Sequence, residues 1–108
     1  MQSTYDQIRF YKLTKKEKEE IIKKIKGYLA EEKRIKLAII FGSLMARDYV
    51  RDIGICISSN PKLNLKELLE LNAKIELEIG IPIDMVEMEM LPKILQTDML
   101  KKGVKVKG

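Results

Sequence analysis

The hydrophobic and polar positions of this chain predict three helices. Capping sequences at Thr14–Glu17 and Asn64–Glu67 open helices near residues 15–33 and 64–79, and a shorter helix covers residues 91–101. The apolar residues of the first helix recur at helical spacing on one face: Ile21, Ile22, Ile25, Tyr28 and Leu29. The second helix carries more apolar residues than one core-facing stripe requires, so part of it is available to another chain.

Shorter apolar runs near residues 36–41, 50–58 and 82–88 predict three β-strands that are neighbours in one sheet. Because helical and strand periods alternate along the chain, the fold class is α/β, with a mixed β-sheet packed with helices. A chain of 108 residues forms a single small domain, which we place at residues 14–108. Residues 1–13 form an N-terminal arm that either lies over this domain or docks a partner.

Composition narrows the class of protein. Hydrophobic residues make up 45% and charged residues 34%, as expected for a folded, highly charged domain. The net charge of +5 favours anionic ligands, but there is no tryptophan and no aromatic stacking platform, which argues against nucleic acid. The absence of histidine excludes Ser-His-Asp, Cys-His and His-zinc chemistry, and the single cysteine, Cys56, is a packed strand residue. No run resembles a signal peptide or a membrane span, so we expect a cytoplasmic protein.

A strand-to-helix turn follows the first predicted strand. Gly42 tolerates positive φ and Ser43 can cap a helix, so the pair predicts a helix that begins at Ser43. The backbone N–H groups at such a helix start are a site for phosphate, and Arg47 or Arg51 would add positive charge. A Gly-Ser pair alone also fits an ordinary turn.

Two carboxylates accompany this turn. Asp52 starts the second strand, in which Ile53, Ile55 and Ile57 form the core face, so Asp52 and Gly54 share the opposite face. Asp84 lies within the third strand between apolar neighbours, where a buried carboxylate is costly unless it is paired or binds a metal. The alternatives are a solvated Asp52 at a strand end and a partly exposed edge strand for Asp84.

The segment Phe41–Ile57 resembles the signature of the minimal nucleotidyltransferases, small relatives of the DNA polymerase beta superfamily. In these enzymes a Gly-Ser turn is followed by Asp-x-Asp and, in a later strand, by a third aspartate. Gly42, Ser43, Asp52 and Asp84 match this pattern residue by residue, whereas Gly54 stands at the second aspartate. The resemblance covers residues 14–108 and implies Asp52 and Asp84 as catalytic, metal-binding residues.

The resemblance also implies a chemistry and partners. Nucleotidyl transfer uses two divalent ions, Mg²⁺ or Mn²⁺, and the absence of a carboxylate at Gly54 predicts weakened transfer from an NTP, for which we favour ATP, to a protein or small-molecule acceptor. Small members of the family pair with a helical HEPN-type protein in toxin–antitoxin arrangements. The alternative function is therefore a catalytically degenerate, antitoxin-like binding subunit of a HEPN-type protein, and a homodimer also stays open.

Overall fold

The computed structural model describes residues 10–42, 44 and 47–108. Its helices are α1 (Lys15–Glu31), α2 (Leu65–Ile79) and α3 (Lys93–Lys102), with one 3₁₀ turn at Met88–Met90. Its strands are β1 (Tyr11–Lys12), β2 (Ile35–Phe41), β3 (Tyr49–Val50), β4 (Ile53–Ser59), β5 (Ile83–Glu87) and β6 (Val104–Lys107). All three helices lie close to their predicted ranges, and capping sequences mark the first residues of α1 and α2.

The main sheet contains four strands in the order β5-β4-β2-β6. The β4–β5 pair is parallel, whereas β2 is antiparallel to both β4 and β6, so the sheet is mixed. The α/β class and the adjacency of the three predicted strands are confirmed. A separate two-stranded ladder joins β1 to β3 and pairs Tyr11 with Val50, so the end of the predicted arm contacts the domain.

Both predicted capping boxes are formed. The Thr14 hydroxyl accepts a hydrogen bond from Glu17 N at 3.1 Å, and Glu17 Oε1 accepts one from Thr14 N at 2.9 Å. Asn64 and Glu67 make the same reciprocal pair at 2.8 and 3.1 Å. These bonds satisfy backbone donors that the first turn of a helix cannot satisfy internally, which fixes where α1 and α2 begin.

Helices α1 and α2 pack on one face of the sheet and form the main core. Its fully buried side chains include Ile25, Leu29, Ile55, Ile57 and Ile75. The other face carries a smaller cluster around Ile39, Cys56 and Met88, against which Met99 of α3 packs. None of the residues of α3, which is described over its whole length, is buried, so this helix covers its face of the sheet only partly.

Several apolar side chains of α2 lie outside the core. Leu65, Leu69 and Leu77 are 70%, 58% and 87% exposed, which agrees with the wide apolar coverage of this helix.

Cys56 is buried, and its burial, followed by the charges of Glu89 and Glu87, raises the pKa of its thiol to about 11. A thiol with such a pKa stays protonated at neutral pH and is a packed side chain. None of the helices in the described ranges has the length and apolarity needed to cross a membrane.

Candidate functional site

The parallel pairing of β4 with β5 brings two carboxylates to the same face of the sheet. Gly54 lies directly opposite Asp84 in the ladder, and Asp52 precedes Gly54 by two residues, so all three share a face. Ile53 N donates a hydrogen bond to Pro82 O at 2.9 Å, which fixes the register where both strands begin. Asp52 and Asp84 therefore lie at one end of the sheet, on the face opposite the main core.

Side chains of α2 hold the strand that carries Asp84. Strand β5 is an edge strand, and its N–H groups at Ile83 and Met85 donate to Glu76 Oε1 at 2.7 Å and to Asn72 Oδ1 at 2.9 Å. Asp84 lies between these two bonds and is exposed. The edge-strand alternative thus describes the setting of Asp84, whose side chain is open to solvent.

Asp52 is also open to solvent, with 51% of its side chain exposed. Arg51 Nε lies 3.5 Å from Asp52 Oδ2, so this arginine faces the first carboxylate. Arg47 is exposed, and its backbone carbonyl accepts a hydrogen bond from Lys18 Nζ of α1. Both arginines predicted to supply positive charge therefore lie on the chain segment that leads into β4, and Arg51 is the one whose side chain faces Asp52.

The ring of Phe41 occupies the space above Gly54. These residues are partners in the antiparallel β2–β4 ladder. A Cβ at position 54 would lie 2.4 Å from both Cε2 and Cζ of Phe41, closer than any side-chain carbon can approach without a shift. The aromatic ring thus fills the place where the second aspartate of the Asp-x-Asp pattern would leave the backbone.

The turn after β2 requires glycine. Gly42 has φ of 91°, in the left-handed region that side chains with a Cβ rarely adopt. Ser43 and the helix predicted to begin there lie outside the described residues, so that prediction stays open. Leu44 is described and fully buried, which ties the chain after the turn to the main core.

A cavity opens beside this turn, between the end of β2 and α3. Its volume is about 390 Å³, and it is lined by Ile40, Phe41, Gly42, Asp98, Met99, Lys102 and Gly103. Lys102 Nζ lies 3.1 Å from Asp98 Oδ1, and both side chains are exposed at the cavity rim. Lys102 and Gly42 therefore line the same cavity.

A second group of carboxylates lies at the other end of β5 and does not join the site. Glu87 is only 6% exposed, and Ser59 Oγ donates to its Oε1 at 2.8 Å, while Ser58 Oγ donates to Glu89 Oε1 at 2.5 Å. Burial raises the pKa of Glu87 above its usual value. By alternation along β5, Glu87 faces away from Asp84, as expected from the sequence.

The donor set of the site contains two carboxylates. Within residues 10–42, 44 and 47–108, no three His, Cys, Asp or Glu side chains come close enough to hold one metal ion.

Phe41, Asn72 and Lys102 contribute to the site although no motif marks them. Their places depend on strand register and on the packing of α2 and α3, which periodicity does not specify.

Most of the chain matches a known family. The family model described as polymerase beta, nucleotidyltransferase, matches residues 23–108, a range that contains the Gly42 turn and both aspartates. The chain belongs to this family. The predicted resemblance is confirmed, whereas the roles of Asp52, Asp84, Gly42, Ser43, Arg47 and Arg51 stay predictions. No curated protein sequence gives a significant match.

Solved structures share the fold of this nucleotidyltransferase-family chain. A chain from the complex of a tri-AMPylated Shewanella oneidensis HEPN toxin with an MNT antitoxin is 21% identical, with a TM-score of 0.70 over 84% of this chain and 72% of that one. A chain from a toxin–antitoxin complex with AMP-PNP is 21% identical, with a TM-score of 0.70 over 81% of this chain and 73% of that one. A chain from the MntA–HepT toxin–antitoxin complex is 19% identical, with a TM-score of 0.62 over 88% of this chain and 73% of that one. At these identities the likeness establishes the fold.

Proposed function

We propose that this nucleotidyltransferase-family chain binds a metal–nucleotide complex, with ATP as the favoured nucleotide, and transfers the nucleoside monophosphate weakly. The observation that carries this proposal is the common face of Asp52, Gly54 and Asp84, in which Phe41 fills the position above Gly54. Two of the three carboxylates of the family pattern are kept and the third is replaced by an apolar surface. Nucleotide binding is thus retained more fully than catalysis.

The turn at Gly42 and Ser43 is the proposed phosphate site. A positive-φ glycine lets the backbone bend so that the following N–H groups face one direction, which suits an anion. Arg47 and Arg51 lie on the segment between this turn and β4 and supply positive charge. Their side chains are exposed and can reorient toward a bound triphosphate. We propose a cytoplasmic location as well, because ATP and Mg²⁺ are both available there.

Asp52 and Asp84 are the residues that would hold a divalent ion. Carboxylate oxygens are the ligands that Mg²⁺ and Mn²⁺ prefer, and both groups are exposed and on one face. When bound, such an ion neutralises charge on the phosphates and on the oxygen that leaves. The site fits one ion held by two carboxylates and phosphate better than two ions, because Gly54 offers no third carboxylate.

In the transfer reaction, an acceptor oxygen forms a bond to the α-phosphorus as the bond to the bridging oxygen of pyrophosphate breaks. The residues of this chain would orient the nucleotide for that in-line displacement: the Gly42 turn would hold the phosphates, and Asp52 would act on them only through a divalent ion, because a carboxylate and a phosphate repel each other. No histidine is present to take the acceptor proton. Asp84 is the carboxylate that we assign to the acceptor side of the site, where it would take the acceptor's proton as pyrophosphate leaves.

A second candidate function is a binding subunit that pairs with a helical HEPN-type toxin. The specific observation in its favour is the Phe41 ring over Gly54, because a chain under selection for transfer alone would keep a carboxylate there. The solved structures of similar fold are described as toxin–antitoxin complexes, one with a tri-AMPylated HEPN toxin and one with AMP-PNP. Both functions share the nucleotide site. They differ in whether the chain must transfer a nucleoside monophosphate to the toxin in order to neutralise it.

Calorimetry and a transfer assay test these proposals together. We expect the chain to bind ATP with Mg²⁺ more tightly than with chelator, and to label a co-purified HEPN-type protein slowly with α-³²P-ATP. If Asp52→Asn abolishes labelling but still protects cells from the toxin, the binding function is the relevant one. If the chain binds no nucleotide with either Mg²⁺ or Mn²⁺, the proposed nucleotide site is wrong.

A further inference from the structure

We infer that helix α2 is a homodimer interface, in which its exposed apolar ridge packs antiparallel against the same ridge of a second copy of this chain. The ridge consists of side chains at positions i, i+4, i+8 and i+12 of the helix: Leu65, Leu69, Ala73 and Leu77. Side chains four residues apart are neighbours on a helix surface, so these four form one continuous line. This surface lies outside the proposed nucleotide site, and the inference does not depend on that site.

The ridge is exposed along the whole length of α2. Each of its leucines is more than half exposed, and Ala73 is exposed between them. Monomeric proteins rarely leave a connected apolar surface uncovered, because its contact with water is unfavourable. A line of this kind therefore favours a partner whose own surface is apolar, and the same line of a second copy meets that requirement.

Contacts on its other sides hold α2 in place. Ile75 is fully buried in the main core. Glu76 and Asn72 accept hydrogen bonds from backbone N–H groups of the edge strand β5. The ridge is thus presented by a preorganised helix, so little conformational entropy is lost when it is covered. The same hydrogen bonds occupy donors through which a second copy could extend the sheet at β5, which favours association through the helix.

A second ridge runs beside the first and carries charges of alternating sign. Its side chains are all exposed: Lys66, Glu70, Lys74 and Glu78. When two copies of α2 pack antiparallel about a two-fold axis, this ridge meets the same ridge of the other copy in reverse order. Lys66 then faces Glu78 of the second copy, and Glu70 faces Lys74, so opposite charges meet throughout. A parallel pair would place the two charged ridges on opposite sides of the interface and form none of these pairs.

The charged ridge is available for such pairing. Within one copy, Lys66 Nζ lies 4.0 Å from Glu70 Oε1, and the two side chains are 84% and 67% exposed. A long, exposed i,i+4 pair contributes little to stability, so both groups can turn toward a second copy at little cost.

The sizes of the ridge residues also suit the antiparallel order. Ala73 is the small residue of the line, and this order places it opposite Leu69 of the second copy, where the leucine has room between the helices. Near the end of α2, Leu77 borders a groove of about 540 Å³ that Tyr11 also lines. Leu65 of the second copy is opposite Leu77 in this order and would enter that groove.

Sedimentation equilibrium of the parent chain and of two matched variants tests the interface. We expect the parent to dimerise with a Kd in the micromolar range or below. Leu69→Glu should raise this Kd by about tenfold or more, because it places a charge in the middle of the apolar ridge. Leu100→Glu on α3 is the matched control, since both leucines are 58% exposed, and it should leave the Kd unchanged. Circular dichroism verifies that both variants are folded.

A charge exchange tests the antiparallel order while every apolar side chain stays in place. Lys66→Glu and Glu78→Lys should each raise the dimer Kd by about fivefold, because each brings like charges together twice in the symmetric pair. Lys66→Glu/Glu78→Lys should return the Kd to the parent value, because the opposite-charge pairs form again in reverse. A double variant that dimerises no better than either single variant overturns the antiparallel arrangement.

Three further results would overturn the inference. The first is a parent chain that stays monomeric up to about 1 mM, and the second is an equal change of Kd in folded Leu69→Glu and Leu100→Glu. The third is a monomeric chain whose α2 ridge is instead needed to bind a HEPN-type protein, which would assign the ridge to that partner. Calorimetry of Mg·ATP binding on the same samples reports on the proposed nucleotide site separately, so the failure of one proposal is distinguishable from the failure of the other.

Discussion

Phe41 and Gly54 are cross-strand partners whose packing excludes a side chain at position 54. The aromatic ring covers the glycine, and a Cβ there would lie 2.4 Å from two of its carbons. The loss of a carboxylate at this position and the placement of the ring are therefore coupled. Restoring the aspartate of the family pattern requires the ring to move as well.

The first prediction concerns the stability of Gly54→Asp. Overpacking a filled site costs about 1–3 kcal/mol, so the single variant should have a lower free energy of unfolding in chelator than the parent. Phe41→Ala/Gly54→Asp should be destabilised by less than the sum of the two single variants, because the clash is gone although the packing of the ring is also lost. Urea unfolding of the parent, both single variants and the double variant gives the coupling energy. Additive effects would show that the ring and position 54 do not interact.

The second prediction concerns the two carboxylates. Asp52→Asn and Asp84→Asn should each weaken Mg·ATP binding without weakening metal-free ATP binding, because an amide is a poorer ligand for Mg²⁺ and no longer repels the free phosphates. Asp48→Asn is the matched control, since Asp48 is exposed and lies in the segment before β3. Calorimetric titration with and without Mg²⁺ distinguishes the variants. If Asp48→Asn has the largest effect, the carboxylates are assigned wrongly.

Much of this architecture could be predicted from the sequence. The capping boxes at Thr14 and Asn64 place α1 and α2, and the common face of Asp52 and Gly54 follows from strand alternation. Alternation does not reveal which residue of one strand lies opposite which residue of another. The Phe41–Gly54 contact and the exposure of Asp84 depend on that register and on strand order, which long-range packing determines.

The third prediction concerns Asn72, which no motif identifies. Its side chain accepts a hydrogen bond from Met85 N on the edge strand that carries Asp84. Asn72→Ala leaves this donor without its protein partner, which should cost about 1–3 kcal/mol of stability and weaken Mg·ATP binding modestly. Lys74→Ala is the control on the exposed side of α2. Hydrogen exchange should become faster at Met85 in Asn72→Ala alone, and uniform protection in both variants would contradict this role.

The fourth prediction concerns the pH dependence due to Glu87. Burial and the nearby Glu89 raise its pKa, and its hydrogen bond with Ser59 and the charge of Lys62 oppose the rise only in part. The native state therefore keeps this proton to higher pH than the unfolded chain, so stability from Glu87 is present at low pH and lost as pH rises through the folded pKa.

Glu87→Gln should consequently gain stability relative to the parent as pH rises from 4 to 8. Glu67→Gln is the control of opposite sign, since the hydrogen bond from Arg34 lowers the pKa of Glu67. The stability due to Glu67 is present above its ordinary pKa and lost as pH falls below it, so the parent should lose stability relative to Glu67→Gln when the pH is lowered below 4. Thermal unfolding across both pH ranges measures the two differences, and parallel curves for parent and Glu87→Gln would contradict the assignment.

The last prediction concerns catalysis. If the missing carboxylate limits transfer, Phe41→Ala/Gly54→Asp should transfer nucleotide faster than the parent, because two aspartates on one strand face can then share a metal pair with Asp84. Gly54→Asp alone should gain less, since the ring displaces the new carboxylate, and Phe41→Ala alone should gain nothing. Adding Asp52→Asn to the double variant should remove the gain. Rapid transfer by the parent that survives Asp52→Asn would contradict both the weakened activity and the role of this aspartate.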